Sequence, residues 1–151
     1  MLCLRTLLQS NMKESTEGNV TVPQSHEVVL AMVKFLYSGV LPPDVPVKTL
    51  LNLAALADYY QLSELRDLCT IILCRELKAD NCIAVFRCGV SLGNNMLTIF
   101  AAHCMLENFN VVLVSEQYAY LLLDKDLQKA FLVHMPQSGN EFTKKRKREY
   151  V

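Results

Sequence analysis

The chain has 151 residues, of which 52% are hydrophobic and 20% are charged. This apolar content excludes a chain that is disordered throughout, and the length suffices for one core or two small helical subdomains. The formal net charge is +0, but residues 1–143 carry ten basic and fourteen acidic side chains, because five cations cluster at 144–148. A mildly acidic folded part argues against a general nucleic-acid-binding surface, and we expect no direct nucleic-acid partner.

The first 23 residues predict a helix followed by a short strand. Residues 1–11 place leucines at helical spacing, and a polar turn follows them. The alternating β-branched residues at 19–22 are typical of a strand, which Pro23 ends because proline has no backbone N–H to donate.

A second helix is predicted over residues 26–38. Ser25 is placed to cap its start, and Gly39 occupies the position after its last turn. Val40 and Leu41 are a candidate second short strand before a proline-containing turn. The sequence therefore predicts one or two short strands in an otherwise helical chain.

Residues 47–77 predict two helices joined by a tight corner, and the rest of the fold is organised around them. Apolar side chains recur at helical spacing in both halves: Leu50, Leu53, Ala54, Ala57 and Tyr60, then Leu65, Leu68, Cys69, Ile72 and Leu73. Gln61 and Leu62 form the predicted corner, and Ser63 is placed to cap the second helix. Each helix has an apolar stripe that requires neighbours to cover it.

The stretch 88–106 contains no charged residue, and its length approaches that of a membrane span. Gly89 and Gly93 interrupt it together with a corner at 92–95, so we predict two core helices and no membrane segment. Asp80 is expected to cap the first of these helices, which is predicted to run through Val90.

Cysteine spacing gives little support to a metal site or to disulfides. The six cysteines are Cys3, Cys69, Cys74, Cys82, Cys88 and Cys104, and no two of them form a CxxC pair. His103 beside Cys104 is a weak metal-binding signal because no further ligand lies at a suitable spacing. Buried reduced thiols are the favoured interpretation, and we expect no metal and no cofactor.

The order of residues from 35 to 69 resembles the second half of a BTB/POZ domain. The string FLYSG at 35–39 ends a helix, a proline-containing link follows, and LLNLAALADYYQL at 50–62 leads to Leu65 and Cys69. Ser10, Met12, Glu14 and Ser15 match the "S.M.ES" pattern that precedes a strand in such domains. The elements that normally open the domain are absent, so the resemblance implies an N-terminally shortened member.

Residues beyond 78 resemble the start of a BACK region, the helical extension of many BTB proteins. The resemblance rests on the string NC at 81–82, the corner, the string AA at 101–102 and the string ENF at 107–109. It implies a mainly α fold, with a partial BTB/POZ domain at 1–78 and BACK-like helical hairpins at 79–135. A basic tail, which we expect to be disordered, occupies 136–151.

The same resemblance assigns a cullin-binding site. Met12 and Glu14 match the hydrophobic–any–glutamate turn by which BTB adaptors dock a cullin-3-type scaffold, and Tyr60 matches a tyrosine of the neighbouring hairpin. An exposed methionine beside a carboxylate suits such a contact. The alternatives are a loop methionine that covers the strand and a tyrosine that faces the core.

The tail carries a run of five cations: Lys144, Lys145, Arg146, Lys147 and Arg148. Consecutive cations near a chain end are typical of a nuclear import signal, which predicts localisation in both nucleus and cytoplasm. A solubilising tail and a weak polyanion contact are the alternatives.

The sequence predicts a protein without enzymatic activity. A Gly-rich phosphate loop, HExxH and GxSxG are all absent, and the three histidines are far apart in the chain. The BTB resemblance implies a substrate adaptor of a cullin-3-type ubiquitin ligase, with an unidentified substrate protein as second partner. A second BTB chain is a further implied partner, although the dimer-forming elements are missing. The alternative function is a nuclear scaffold or transcriptional co-regulator.

Overall fold

The computed structural model describes residues 22–135, which form eight helices and no strand. Helices make up 75% of these residues, so the mainly α fold class is confirmed. In chain order they are α1 (His26–Ser38), α2 (Val47–Tyr59), α3 (Ser63–Arg75), α4 (Cys82–Ser91), α5 (Asn95–Glu107), α6 (Phe109–Leu113), α7 (Glu116–Leu123) and α8 (Lys125–His134). The predicted helix at 1–11 lies outside the described residues, as does the predicted strand at 19–22 except for Val22.

Helix α1 has the predicted bounds. Ser25 is its N-cap with an extended backbone, but the Ser25 side chain makes no capping hydrogen bond. The Ser25 carbonyl instead accepts from Val29 N–H at 3.2 Å. Gly39 ends the helix with φ +71°, and its N–H donates to the Phe35 carbonyl at 2.7 Å. A positive φ costs glycine little, which explains why FLYSG terminates a helix.

Val40 and Leu41, the candidate second strand, have no strand conformation. The Ser38 hydroxyl accepts a hydrogen bond from Val40 N–H at 3.2 Å and lies 2.7 Å from the Lys34 carbonyl. This local contact satisfies the backbone N–H of Val40, which is therefore not available for a hydrogen bond to a neighbouring strand. Leu41 is buried in the core.

Helices α2 and α3 are the predicted hairpin, with the corner at Gln61 and Leu62. The predicted cap of α3 is wrong. Ser63 is already the first helical residue, Leu62 occupies the N-cap position, and no side chain caps the helix. Because a serine one position inside a helix cannot reach the N–H groups that an N-cap serine accepts from, its capping role is lost.

The charge-free stretch at 88–106 divides between α4 and α5, as predicted, with the corner at residues 92–94. Within the part of the chain that the structure describes, no helix combines the length and apolarity needed to cross a membrane. Gly89 lies inside α4, within the helix predicted through Val90. Gly93 does form the turn, with φ +60°.

The start of α4 corrects the prediction for Asp80. Asn81 is the N-cap, and no side chain caps the helix. The Asn81 amide turns back toward the preceding loop, where its Oδ1 accepts from Lys78 N–H and its Nδ2 donates to the Glu76 carbonyl, both at 2.8 Å. The Asn81 side chain thus holds the loop between α3 and α4.

Gly89 allows α4 and α5 to approach closely. A Cβ atom placed on Gly89 would lie 2.8 Å from both the backbone N and the Oγ1 of Thr98, and 3.0 Å from the Leu97 Cβ. Such distances leave no room for a side chain. The α4–α5 hairpin therefore depends on a glycine at its point of closest approach.

A side-chain hydrogen bond joins the α4–α5 corner to α3. Asn94 caps α5 by accepting from Leu97 N–H at 3.2 Å, and its Nδ2 donates to the Thr70 hydroxyl at 2.9 Å. Thr70 is buried and in turn donates to the Arg66 carbonyl at 2.9 Å. One asparagine thus caps its own helix and holds the BTB-like hairpin.

The remaining helices complete a single core. Buried apolar side chains from Val28 in α1 to Phe131 in α8 form one cluster, so the described residues share a continuous interior. The rings of Phe86 and Phe131 meet edge to face at 5.8 Å, which joins α4 to α8. The Arg87 guanidinium lies 5.7 Å from the Tyr120 ring and links α4 to α7 by a cation–π contact.

Candidate functional site

One of the three predicted cullin-binding residues lies in the described structure. Met12 and Glu14 fall outside the described residues, and so do the five cations at 144–148. Tyr60 is described and lies at the end of α2, where the hairpin turns. The roles assigned to these residues stay predictions.

The corner beside Tyr60 is fixed by backbone hydrogen bonds. Gln61 has φ +56°, an uncommon value for a residue with a Cβ atom. The Leu62 N–H reaches back to the Ala57 carbonyl at 2.7 Å, and the Tyr60 N–H donates to the Leu56 carbonyl at 3.0 Å. These bonds satisfy carbonyls that a helix end otherwise leaves without partners. The corner therefore holds its two tyrosines on a rigid backbone.

The two tyrosines of the corner differ in exposure. Tyr60 is 4% exposed and belongs to the core, whereas Tyr59 is 74% exposed. Their rings pack edge to face, with centroids 5.1 Å apart. The burial of Tyr60 favours the interpretation that its ring faces the core. Tyr59 presents the accessible aromatic surface, which the sequence did not single out.

An ion pair spans the same corner. Arg66 of α3 lies 3.3 Å from the Asp58 carboxylate of α2 and 3.6 Å from that of Asp67. The side chains are about 40% exposed in the Arg66–Asp58 pair, so solvent screens the attraction and the pair adds little to stability. Its effect is to place a mixed-charge patch beside Tyr59.

A pocket of about 300 Å³ opens between the end of α1 and the start of α3. It is lined by Phe35, Leu36, Gly39, Leu62, Ser63, Glu64 and Leu65. The volume is at the lower limit of small-molecule sites, and Glu64 is its sole titratable lining residue. Such a lining offers no pair of acid and base groups, so the pocket suits an apolar contact better than catalysis.

A second accessible apolar surface lies on α5. Met96, Ile99 and Phe100 are each about half exposed. Ile99 and Phe100 border a pocket of about 400 Å³, which is also lined by Cys74 of α3 and by Leu77 of the loop that follows it. Exposed apolar surface of this kind often marks a protein contact.

The α5 surface could have been found from the sequence. The buried side chains of the helix are Leu97, Thr98, Ala101, Ala102 and Met105. Because Ile99 and Phe100 lie outside this buried set, a helix that is apolar all round must expose them.

Burial disfavours ionisation of the described cysteines. It raises the pKa of Cys69 to about 12 and the pKa values of Cys82 and Cys88 to about 11. Neutral thiols are poor nucleophiles and poor metal ligands. Among residues 22–135 there is no group of three or more His, Cys, Asp or Glu side chains that could hold a metal ion.

Comparison with known proteins agrees with the BTB/POZ resemblance. Residues 7–70 match the family model for the Kelch-like protein 33-like BTB/POZ domain. Kelch-like protein 40b of Danio rerio is 25% identical over 118 residues, and Kelch-like protein 38 of the same organism is 26% identical over 120. Kelch-like protein 40 of Xenopus tropicalis is 20% identical over 122 residues. The predicted resemblance to a BTB/POZ domain is confirmed for residues 7–70.

These alignments cover different shares of the proteins compared. They include 78–80% of this chain but only 19–20% of each relative, so the chain spans about a fifth of their length. They also extend over more residues than the 7–70 match. The similarity is thus not confined to the BTB/POZ segment.

Proposed function

We propose that this chain, whose residues 7–70 belong to the BTB/POZ family of Kelch-like proteins, is a non-enzymatic adaptor that brings a substrate protein to a cullin-3-type ubiquitin ligase. Proteins of this family generally act as cullin-3 substrate adaptors and are not typically enzymes. The observation that carries the proposal is that the matched segment contains Met12, Glu14 and Tyr60 together. The adaptor acts by proximity, since the ligase performs the chemistry.

The rigid backbone of the corner between α2 and α3 supports this function. A docking surface loses less conformational entropy on binding when its backbone is already fixed, and the hydrogen bonds at Tyr60 and Leu62 fix it. We infer that the buried ring of Tyr60 holds the corner in its conformation, while the exposed ring of Tyr59 is accessible to a partner protein. Tyrosines at the centre of an interface often contribute much of the binding energy.

Replacing both Met12 and Glu14 by alanine is expected to weaken cullin binding severely. Removal of a central interface side chain typically costs about 2 kcal/mol or more, which is roughly a thirtyfold loss of affinity. The measurement is titration calorimetry of the full chain against a cullin-3 N-terminal domain, with circular dichroism to verify that helix content is unchanged.

Lys13→Ala is the matched control, because Lys13 is the freely variable position between the two motif residues. We expect its affinity to stay close to that of the parent. Equal binding by the parent and the Met12→Ala, Glu14→Ala variant would contradict the assigned motif. Tyr60→Ala is a poorer test, since removal of a buried ring also lowers stability.

The alternative function, a nuclear scaffold, rests on the basic run at 144–148. A reporter fused to residues 136–151 is expected to accumulate in nuclei, and replacing the five cations by alanine is expected to abolish this. Fluorescence microscopy of both fusions makes the comparison. Equal distribution of the two would leave the run as a solubilising tail. Capture of chromatin proteins without cullin by the full chain would favour the scaffold over the adaptor.

A further inference from the structure

The register of the α4–α5 hairpin places two cysteines opposite each other. Gly89 of α4 lies against Leu97 and Thr98 of α5, which fixes the alignment of the two antiparallel helices. Cys82 precedes Gly89 by seven residues, and Cys104 follows Leu97 by seven. Seven residues are about two helical turns, so each cysteine returns to the side of its helix that faces the other.

The thiols of Cys82 and Cys104 interact with each other across the hairpin, and each also has a local partner. The Cys82 Sγ lies 3.3 Å from the Ala79 carbonyl oxygen, and the Asn108 Nδ2 lies 3.7 Å from the Cys104 Sγ. Two cysteines that face each other across a close helix–helix contact are suitably placed to form a disulfide.

The two thiols differ in access. Cys82 is fully buried, whereas Cys104 is half-buried and lines the pocket between α3 and α5. Burial raises the pKa of Cys104, and the hydrogen bonds from Cys82 and Asn108 oppose that rise. Donors directed at the Cys104 sulfur stabilise its thiolate, which is the form that reacts with oxidants.

We propose that Cys82 and Cys104 form a redox pair in which a peroxide drives closure of a disulfide between α4 and α5. Cys104 loses its proton, and its thiolate attacks one oxygen of hydrogen peroxide. The O–O bond breaks, the sulfur is oxidised to a sulfenic acid, and the released hydroxide takes up the proton to give water. The Cys82 sulfur then attacks that sulfur. The S–S bond forms, the S–O bond breaks, and the departing hydroxide takes up the Cys82 proton. Two thiols and one peroxide thus give one disulfide and two waters.

The disulfide would fix the ends of α4 and α5 that lie farthest from their corner. The corner itself is already held by Asn94 and Thr70. Closure would therefore stiffen the hairpin along its whole length and change the wall of the pocket that Cys104 lines. The Cys69 and Cys88 thiols also interact, but burial raises their pKa values to about 12 and about 11, and neither sulfur accepts from a described residue a hydrogen bond that opposes this rise, as the Cys104 sulfur does.

Peptide mapping of the peroxide-treated full chain tests the proposal. After treatment, free thiols are alkylated and the non-reduced digest is analysed by mass spectrometry. We expect a cross-linked peptide that joins Cys82 to Cys104, and a higher Tm that returns to its original value on reduction. We expect Cys82→Ser to lose the cross-link and to accumulate Cys104 as a sulfenic acid that dimedone captures.

Variants of the remaining cysteines make the assignment specific. Cys74→Ser changes a thiol that lines the same pocket, and it is expected to give the parental yield of cross-link. Because Cys82 is fully buried, Cys82→Ala is the second variant if the serine disturbs folding, and circular dichroism identifies which variant is folded. The proposal is overturned if Cys104 stays a thiol under peroxide, or if the main disulfide joins any other pair of cysteines.

Discussion

Phe86→Ala is expected to lower the free energy of unfolding by about 3–5 kcal/mol, the range measured when a buried phenylalanine is truncated. Phe86 is 0% exposed, and its ring meets the Phe131 ring edge to face. The substitution removes apolar contacts and leaves a cavity where α4 meets α8. Urea denaturation followed by circular dichroism measures the loss.

Phe100→Ala is the matched control for Phe86→Ala, because it removes the same side chain from a position that is 52% exposed. Its contacts are fewer and solvent fills the space, so we expect a clearly smaller loss of stability. Equal losses in the two variants would contradict the core that the structure defines. Phe100→Ala also removes part of the apolar surface on α5 while leaving the fold intact.

Gly89→Ala is expected to destabilise the protein by about 1–3 kcal/mol, the typical cost of overpacking a close contact. The new Cβ would lie 2.8 Å from the Thr98 backbone nitrogen, and a backbone atom cannot move aside as a flexible side chain does. α4 and α5 would therefore have to separate. The free energy of unfolding from urea titration gives both the size and the sign of the effect.

The sign of the Gly89→Ala effect is decisive. Alanine is a better helix former than glycine by about 1 kcal/mol, so an open helical position predicts stabilisation. Stabilisation would thus show that the helices are not in close contact at this residue. Ser91→Ala, at an exposed position of the same helix, serves as control and is expected to change stability by less than about 0.5 kcal/mol.

The hydrophobic periodicity of the sequence predicted the helices well. The stripes on either side of Gln61 gave both helices of the hairpin, and the glycine-containing break after Ser91 separated α4 from α5. Such patterns predict helices well because neighbouring elements must cover the apolar stripe of a helix wherever that helix packs. The motif FLYSG likewise marked the end of α1, since Gly39 adopts the positive φ that a side chain disfavours.

The details that were missed depend on single positions or on distant contacts. Ser63 and Asp80 were assigned as caps, but each is one residue from the N-cap position, and composition does not distinguish a helix boundary that finely. The packing role of Gly89 was not predicted because it is defined by Thr98, which lies on another helix. The five-residue helix α6 has too few residues for a recognisable period.

The sequence identified the hairpin that contains the candidate site, but it did not show which of its side chains are exposed. The order of residues around Tyr60 indicated the BTB hairpin, and the family match includes that segment. Which of two adjacent tyrosines faces solvent depends on the turn at Gln61, where the chain leaves its helical path. The exposure of the Tyr59 ring could therefore be recognised only from the backbone conformation of the corner.

The hydrogen bond between Asn94 and Thr70 has a consequence for an adaptor of the proposed kind. An adaptor acts by holding its partners at a fixed distance and orientation, and it performs no chemistry itself. A small rotation between its helices therefore becomes a large displacement of the bound substrate protein. Apolar packing resists separation but tolerates rotation, whereas a hydrogen bond between two short side chains is directional. This bond joins α3 to the α4–α5 corner at 2.9 Å. It therefore fixes the orientation of the two parts relative to each other as well as stabilising the fold.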